Sequence, residues 1–455
     1  MSGAVPVVQP PAPAFRPYHD GADFRKSVLT QLFTAVLALS LFSAEADFQT
    51  QFVSGLRALN RQDFPAAKTA LLAASRLQPS NPRVWVALAQ TYRKLKETTL
   101  AAAAAGKAER LGQEDPVALR TLATYYSEQG KFYKAGDLEV RCAAKDSNDP
   151  SAVTRAMSDY LQADQPKRAI DLALATVGWE HRADIRDLLG KSYEADGQIL
   201  KTIPELREAV QLKPDDESYY FDLMQALLSH FNFDIAIRIG EEGRRRFPRS
   251  AQIALATGVA YYGGWQPEAA ADAFLDTIAL DPAVEQPYLF LLRLINDAHR
   301  RLPSRMPEIE HRFVEYQEKN PGNYLGYFLH AKALSAQSKE PEQAESLLRK
   351  SIALNGKYWE SHYDLGLLLT KRHALVEAEK ELRRSTELNP NNPVAHYHLF
   401  RVLASLGRTE AAQAELAVQR RVYAEYEAYM NQQTGEVKRL DMTLTDTAKP
   451  NRPQQ

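Results

Sequence analysis

Apolar residues recur along most of the chain at intervals of three and four, which is the period of one face of an α-helix. They form stretches of about 12–14 residues, and these stretches come in pairs. Short polar turns separate the two stretches of a pair, for example at residues 59–63, 127–131 and 406–409. The pattern therefore predicts an all-α chain built from helix pairs joined by short turns.

A fixed period of 34 residues is superimposed on this pattern. One alanine marks the period in the second helix of each pair, and it occurs at Ala67, Ala101, Ala135, Ala169, Ala236, Ala270, Ala344, Ala378 and Ala412. Aromatic residues, glycines and prolines keep the same phase, as Trp85, Tyr92, Gly258 and Pro282 do. A period of this length is typical of solenoid proteins, in which each repeat must stack on its neighbours to bury its apolar face.

The phase shifts at three places. One repeat near 183–215 is a residue short, the repeat at 285–321 carries about five extra residues, and a single insertion precedes Ala344. The fourth and eighth repeats fit the pattern least well. The insertion at 296–308 is open to three interpretations: drift in repeat length, a bend in the solenoid, or a binding excursion.

These motifs resemble the tetratricopeptide repeat, whose pattern is W-x2-L-G-x2-Y, then A-x3-F, then P. Trp85, Tyr92 and Gly258 match its first part, and Phe274 and Pro282 match its later parts. The resemblance implies about eleven helix-turn-helix units stacked into a right-handed superhelical solenoid. The units are predicted to begin near 48, 82, 116, 150, 183, 217, 251, 285, 324, 359 and 393.

The N-terminal region has the order of a secretion signal. Residues 1–26 carry five prolines within the first 17 positions and are predicted to be a disordered leader. Arg25 and Lys26 then precede an uncharged run at 27–44, and Ala44-Glu45-Ala46 offers a small-residue cleavage site. We expect residues 27–46 to be a cleaved signal peptide, so that the chain is periplasmic or secreted. An uncleaved membrane anchor at 27–44 and a soluble first helix are the alternatives.

The repeat array is predicted to cover residues 47–425. Beyond it, residues 426–455 comprise the end of the last helix, running to about Met430, and a flexible tail. That last helix is expected to cap the array, because a terminal repeat has no outer neighbour. A dimer contact through its tyrosines is the alternative.

The sequence carries few signs of chemistry. Lys and Arg number 56 against 57 Asp and Glu, which gives no basic footprint for nucleic acid. Cys142 is the single cysteine, and no nucleotide-binding, zinc-protease or hydrolase motif is present. His362 and His396 fall at the repeat position that Trp85 occupies, which we call the aromatic slot. A flat ring at this position packs between helices, so core packing is expected rather than metal binding. We therefore predict a protein that is not an enzyme and needs neither cofactor nor metal.

In the family that the chain resembles, ligands generally lie in a concave groove lined by the first helices. The predicted groove positions come one, five and eight residues after the aromatic slot. The groove candidates at these positions are Arg93, Arg120, Lys191, Phe221, Gln225, Tyr262, Phe328, Tyr363 and Tyr397. Val86, Asp187 and Lys332 fall at the same positions. Phe52 and Leu56 replace residues that would clamp a terminal carboxylate in the first repeat, so that clamp is not expected.

The preferred hypothesis is a scaffold that binds a protein or peptide outside the cytoplasm. One alternative is an enzyme-associated or carbohydrate-active accessory protein with its site in the groove or in the insertion at 296–308. The other is an assembly factor held to a membrane through residues 27–44.

Overall fold

The computed structural model describes residues 44–146, 149–298, 302–425 and 427–428. In these residues the chain forms α-helices and one short 3-10 helix, and no strand. It divides into two compact units, Met1–Gln165 and Pro166–Gln455.

The first compact unit contains seven described helices. They are α1 (44–60), α2 (Phe64–Leu77), α3 (Pro82–Lys94), α4 (Thr98–Leu111), α5 (Pro116–Ser127), α6 (Phe132–Lys145) and α7 (Ser151–Gln162). The second compact unit continues the same alternation. Its helices are α8 (Pro166–Ala175), α9 (Ala183–Ala195), α10 (Ile199–Leu212), α11 (Glu217–Ser229), α12 (Phe233–Arg246), α13 (Ala251–Gly263), α14 (Pro267–Leu280), α15 (Gln286–Ala298), α16 (Met306–Lys319), α17 (Tyr324–Ala336), α18 (Pro341–Leu354), α19 (Trp359–Lys371), α20 (Leu375–Leu388), α21 (Pro393–Ser405) and α22 (409–425).

The odd-numbered helices are the first helices of the predicted pairs. The first of them is already helical at residue 44, where the described residues begin, and the others start at the predicted residue or one residue later. Short turns join the first helices other than α15 to the next helix, which is the connection of an antiparallel helix hairpin. Within each compact unit, first helices also pack on the first helix of the next repeat, as α3 does on α5 and α11 on α13. The fold is therefore an all-α repeat solenoid.

Capping residues explain where several first helices begin. Asn81 accepts a hydrogen bond from the backbone N–H of Arg83 through its side chain, and Asp115 accepts from Val117. Proline follows each cap at the first helical position, where its missing N–H costs no hydrogen bond. Asn392 repeats the arrangement at α21. An Asn/Asp-Pro pair therefore sets the repeat boundary locally.

Small residues permit the close approach of the two helices of a pair. Ala270 and Ala378 are fully buried, as the 34-residue period predicts. Gly258 shows why the first helix also needs a small residue: a Cβ there would lie 2.5 Å from Cε1 of Phe274. The glycine and the aromatic ring of the repeat motif are thus two halves of one contact.

The fourth and eighth repeats depart from the others. The helix α8 has 10 residues where α6 and α14 have 14, and the 3-10 helix Trp179–His181 follows it. In the eighth repeat, Leu302 of the insertion is fully buried and Arg305 pairs with Asp272 at 2.5 Å. The described part of the insertion is therefore anchored to the array.

Several predicted segments lie outside the described residues. They are the leader at 1–26, residues 27–43 of the signal or anchor segment, and the tail from 429 onward. Within the described part of the chain, no helix combines the length and the apolar character needed to cross a bilayer.

Candidate functional site

In several repeats the residue at the aromatic slot ties the first helix to the preceding turn. The indole Nε1 of Trp85 donates to the carbonyl oxygen of Pro79 at 2.9 Å. Tyr327 donates to the carbonyl oxygen of Pro321, six residues back, at 3.1 Å. Where this hydrogen bond forms, it ties the slot residue to the repeat boundary and gives it a structural role.

The histidines at this slot follow the same rule. His396 places Nε2 3.0 Å from the carbonyl oxygen of Pro390 and Nδ1 2.6 Å from Glu415. His362 likewise contacts Glu381 at 2.6 Å, and this hydrogen bond holds the pKa of the Glu381 carboxyl below its usual range. Both rings are buried. The prediction that they serve core packing is confirmed.

The three basic groove candidates all form ion pairs within the chain. Arg93 pairs with Glu128, and Arg120 pairs with Asp149 at 2.6 Å. Lys191 lies between Asp187 at 2.7 Å and Asp222 at 2.6 Å. Sequence reasoning located these cations on the first helices but did not find Glu128, Asp149 and Asp222, which come from a neighbouring repeat or turn. Asp187 lies on the same helix as Lys191, four residues earlier.

The aromatic and polar groove candidates differ in exposure. Tyr397 is exposed, at 42%, and Gln225 is exposed as well. Phe221, Tyr262 and Tyr363 are half-buried. Burial raises the pKa of Tyr363 well above its usual range. These five side chains keep some surface for a partner.

Phe328 requires a correction. Its side chain is only 1% exposed and packs edge-on against Tyr358, with ring centroids 5.1 Å apart. Phe328 lies at a predicted groove position, but the turn before α19 covers its side chain. Phe328 therefore belongs to the core and offers no binding surface in this structure.

The face formed by three successive first helices contains a cavity of about 550 Å³. It lies at the C-terminal ends of α15, α17 and α19 and includes the turn between α17 and α18. The charged residues that line it are Lys332, Lys339, Asp364, Lys371 and Arg372. Ile295, Ala336, Pro341, Leu367 and Leu368 supply its apolar wall. The cavity thus combines an excess of cations with aliphatic surface.

A buried ion pair forms one side of this cavity. The Nζ atom of Lys332 donates to both carboxylate oxygens of Asp364, at 3.0 and 2.9 Å. The two side chains are 18% and 9% exposed. An ammonium group has three N–H donors, so the Lys332 pair leaves one donor for a further acceptor.

The other cations lie at the cavity rim. Lys339 is 3.5 Å from Glu310, and Arg372 pairs with Glu345 at 2.5 Å. Lys371 forms no ion pair with any residue that the structure describes. One rim cation is therefore uncompensated.

The family-model comparison agrees with the repeat geometry. The tetratricopeptide repeat model matches residues 52–116, 221–285 and 328–393. The chain contains tetratricopeptide repeats in these three regions. No curated protein matches its sequence.

Solved structures similar to this chain include other helical repeat proteins. Yeast Tom70 is 16% identical over 86% of this chain and 97% of its own, with a TM-score of 0.36. The C-terminal part of a TPR repeat-containing protein from Cytophaga hutchinsonii is 18% identical, covering 61% of this chain and 98% of its own, with a TM-score of 0.39. Pseudomonas aeruginosa pilF is 16% identical, covering 55% and 99% respectively, with a TM-score of 0.34.

A second charged cluster of the tetratricopeptide array surrounds Lys191. Asp187 is 5% exposed, and its Oδ1 atom is buried without a hydrogen-bond partner in the structure. Burial raises the pKa of Asp187 to about 6, and the neighbouring Asp222 acts in the same direction. Two carboxylates thus share one ammonium group, and the cluster is acidic where the cavity at α17 and α19 is basic.

Sequence reasoning missed most of the cavity residues. Lys339 and Arg372 lie in turns between first and second helices, and Lys371 is the last residue of α19. None of the three falls at a predicted groove position. The available signal was the single insertion before Ala344, which lengthens the turn that carries Lys339.

The array offers no sign of a metal centre. Among the residues that the structure describes, no group of three or more His, Cys, Asp or Glu side chains could hold a metal ion. Cys142 is fully buried, and burial raises the pKa of its thiol. Because the thiolate is the reactive form, Cys142 is an inert core residue.

Proposed function

We propose that this tetratricopeptide repeat protein is a non-enzymatic scaffold that binds a protein partner outside the cytoplasm. The first helices carry the binding surface, which we take to be the concave groove of the array. The cavity at α15, α17 and α19 is the observation that carries the proposal. It lies on successive first helices, and it combines uncompensated charge with apolar surface.

The remaining first-helix side chains support the same surface. Tyr397 and Gln225 are exposed, and Tyr363 is half-buried next to His398, with ring centroids 5.8 Å apart. Aromatic side chains with a polar edge are over-represented among residues that dominate binding energy. A partner segment following the first helices would meet such groups on either side of the cavity.

The N-terminal region supports the proposed location. The exposed residues 44–47 include the cleavage motif, and Phe48 is the first buried side chain of α1. Cleavage between Ala46 and Asp47 would therefore leave the packed part of the array intact. N-terminal sequencing of the protein from its native host tests this. A start at Asp47 supports export, and an intact Met1 or Ser2 in soluble cytoplasm contradicts it.

Affinity capture from the native host, with mass spectrometry, is the test of the scaffold function. The captured partner is then titrated against Tyr397→Ala and Gln225→Ala, with Arg245→Glu on the second helix α12 as the matched control. We expect both first-helix variants to weaken binding at least ten-fold and the control to leave it unchanged. Circular dichroism confirms folding. Loss of affinity in the control alone would indicate that the binding surface lies on the second helices.

A further inference from the structure

We propose that the cavity between α15, α17 and α19 recognises a carboxylate next to an aliphatic side chain in the partner peptide. This inference rests on the proposed function and specifies the chemistry of one of its sites. The occupant is a peptide segment in which a leucine-like side chain and a carboxylate are neighbours.

The charge of the cavity favours an anion. Four lining residues are cationic, namely Lys332, Lys339, Lys371 and Arg372, and Asp364 is the single lining carboxylate. Asp364 neutralises only Lys332, and Lys332 still has one N–H to donate. Lys371 has no carboxylate partner among the described residues. An entering carboxylate would therefore gain a cation and a charge-assisted hydrogen bond without displacing an existing pair.

The wall of the cavity favours an aliphatic group beside that carboxylate. Leu367 is half-buried and faces the same space as Ile295 and Ala336. A free phosphate or another compact anion would leave this apolar surface in contact with water. The volume of about 550 Å³ falls within the range of about 300–1,000 Å³ that is usual for small-ligand pockets.

The turn from α17 to α18 shows that this cavity is a local feature of the ninth repeat. Its four residues, 337–340, exceed by one the three residues between α19 and α20. Ser338 and Glu340 both adopt positive φ, at 56° and 44°, and Lys339 lies between them. The inserted residue thus carries Lys339 to the cavity rim. These cations belong to turns and a helix end, and not to the first-repeat positions of the carboxylate clamp.

Three small probes separate the two halves of the proposed ligand. N-acetyl-leucine carries both the carboxylate and the aliphatic side chain, N-acetyl-leucinamide lacks the charge, and acetate lacks the side chain. Ligand-observed NMR titration of the full chain measures their affinities. We expect saturable binding of N-acetyl-leucine, and binding at least ten-fold weaker for each of the other two.

Variants assign that binding to the cavity. Lys371→Glu and Leu367→Asp should each weaken N-acetyl-leucine at least ten-fold, while Lys350→Glu on the second helix α18 should leave it unchanged. Lys339→Glu provides a further test in the turn. Non-saturable binding, equal affinity for the amide, or full affinity in both Lys371→Glu and Lys339→Glu would overturn the proposal. If the probes fail while Tyr397→Ala still weakens the captured partner, the proposed function stands and only the cavity assignment is wrong.

Discussion

Two lysines at the same repeat position show how one substitution changes the character of a surface. Lys191 on α9 and Lys332 on α17 both reach an aspartate on the following first helix, Asp222 and Asp364 respectively. Four residues before each lysine, the chain carries Asp187 in one case and Phe328 in the other. Both of these side chains are buried.

The consequence is a difference in charge balance. Lys332 has one carboxylate partner, so its pair is neutral and the neighbouring rim cations give the cavity its positive excess. Lys191 has two carboxylate partners, and one oxygen of Asp187 has no hydrogen-bond partner in the structure. In these two repeats the position after the aromatic slot is buried, and its residue type decides the local charge balance. Asp187 adds a second carboxylate to Lys191, whereas Phe328 adds no charge beside Lys332.

The largest expected effect comes from truncating the buried aromatic side chain. Phe328→Ala should lower the free energy of unfolding by about 3–5 kcal/mol, because it removes a core ring and leaves a cavity. Chemical denaturation followed by circular dichroism measures the change. A decrease in the free energy of unfolding below about 1 kcal/mol would indicate that Phe328 lies on the groove surface.

The two ion pairs should respond unequally to neutralisation. Asp364→Asn removes the carboxylate that pairs with Lys332 and should cost about 3 kcal/mol, since the pair is largely buried. Asp222→Asn leaves Lys191 paired with Asp187 and should cost less than about 1 kcal/mol. Denaturation of the two variants in parallel provides the check. Equal costs would show that Asp187 does not support Lys191.

The pH dependence should distinguish the two regions further. The pKa of Asp187 is raised in the folded state, so its contribution to stability is full below its ordinary pKa and is lost as the pH rises from about 4 to about 6. At about 1.4 kcal/mol per pKa unit, the loss is on the order of 1–3 kcal/mol. Asp187→Asn should remove this loss. A constant difference in unfolding midpoint between wild type and variant across this range would contradict the assignment.

The smallest effect on stability is expected at the exposed end of the array. Tyr397→Ala should change the free energy of unfolding by no more than about 0.5 kcal/mol, because the side chain is 42% exposed. Its effect should appear in partner affinity instead. Thermal unfolding of the same variant is the control, and a large drop in melting temperature would place Tyr397 in the core with Phe328.

Much of the fold follows from the sequence because the repeat period constrains packing directly. Ala270 must be small where two helices meet, and Gly258 must leave room for Phe274. The histidines at the aromatic slot were predictable for the same reason. The period fixes which residues face the neighbouring helix of the pair, and a contact of that kind repeats in every unit.

The binding surface was less predictable, because it depends on contacts that do not repeat. Phe328 and Tyr397 share one repeat position, yet one is buried and the other is exposed. The difference arises from Tyr358 in the turn before α19, which packs against Phe328. The cavity likewise depends on a turn lengthened by one residue, and the 34-residue pattern registers that insertion only as a phase shift.

Hydrogen exchange of the full chain, with and without the captured partner, tests the central claim most directly. The account predicts slower amide exchange at the C-terminal ends of α17 and α19 and in the turn at 337–340, where the cavity lies. The second helices α18 and α20 should exchange at unchanged rates. Protection confined to α18 and α20, with α17 and α19 unaffected, would contradict the assignment of the first helices as the binding surface.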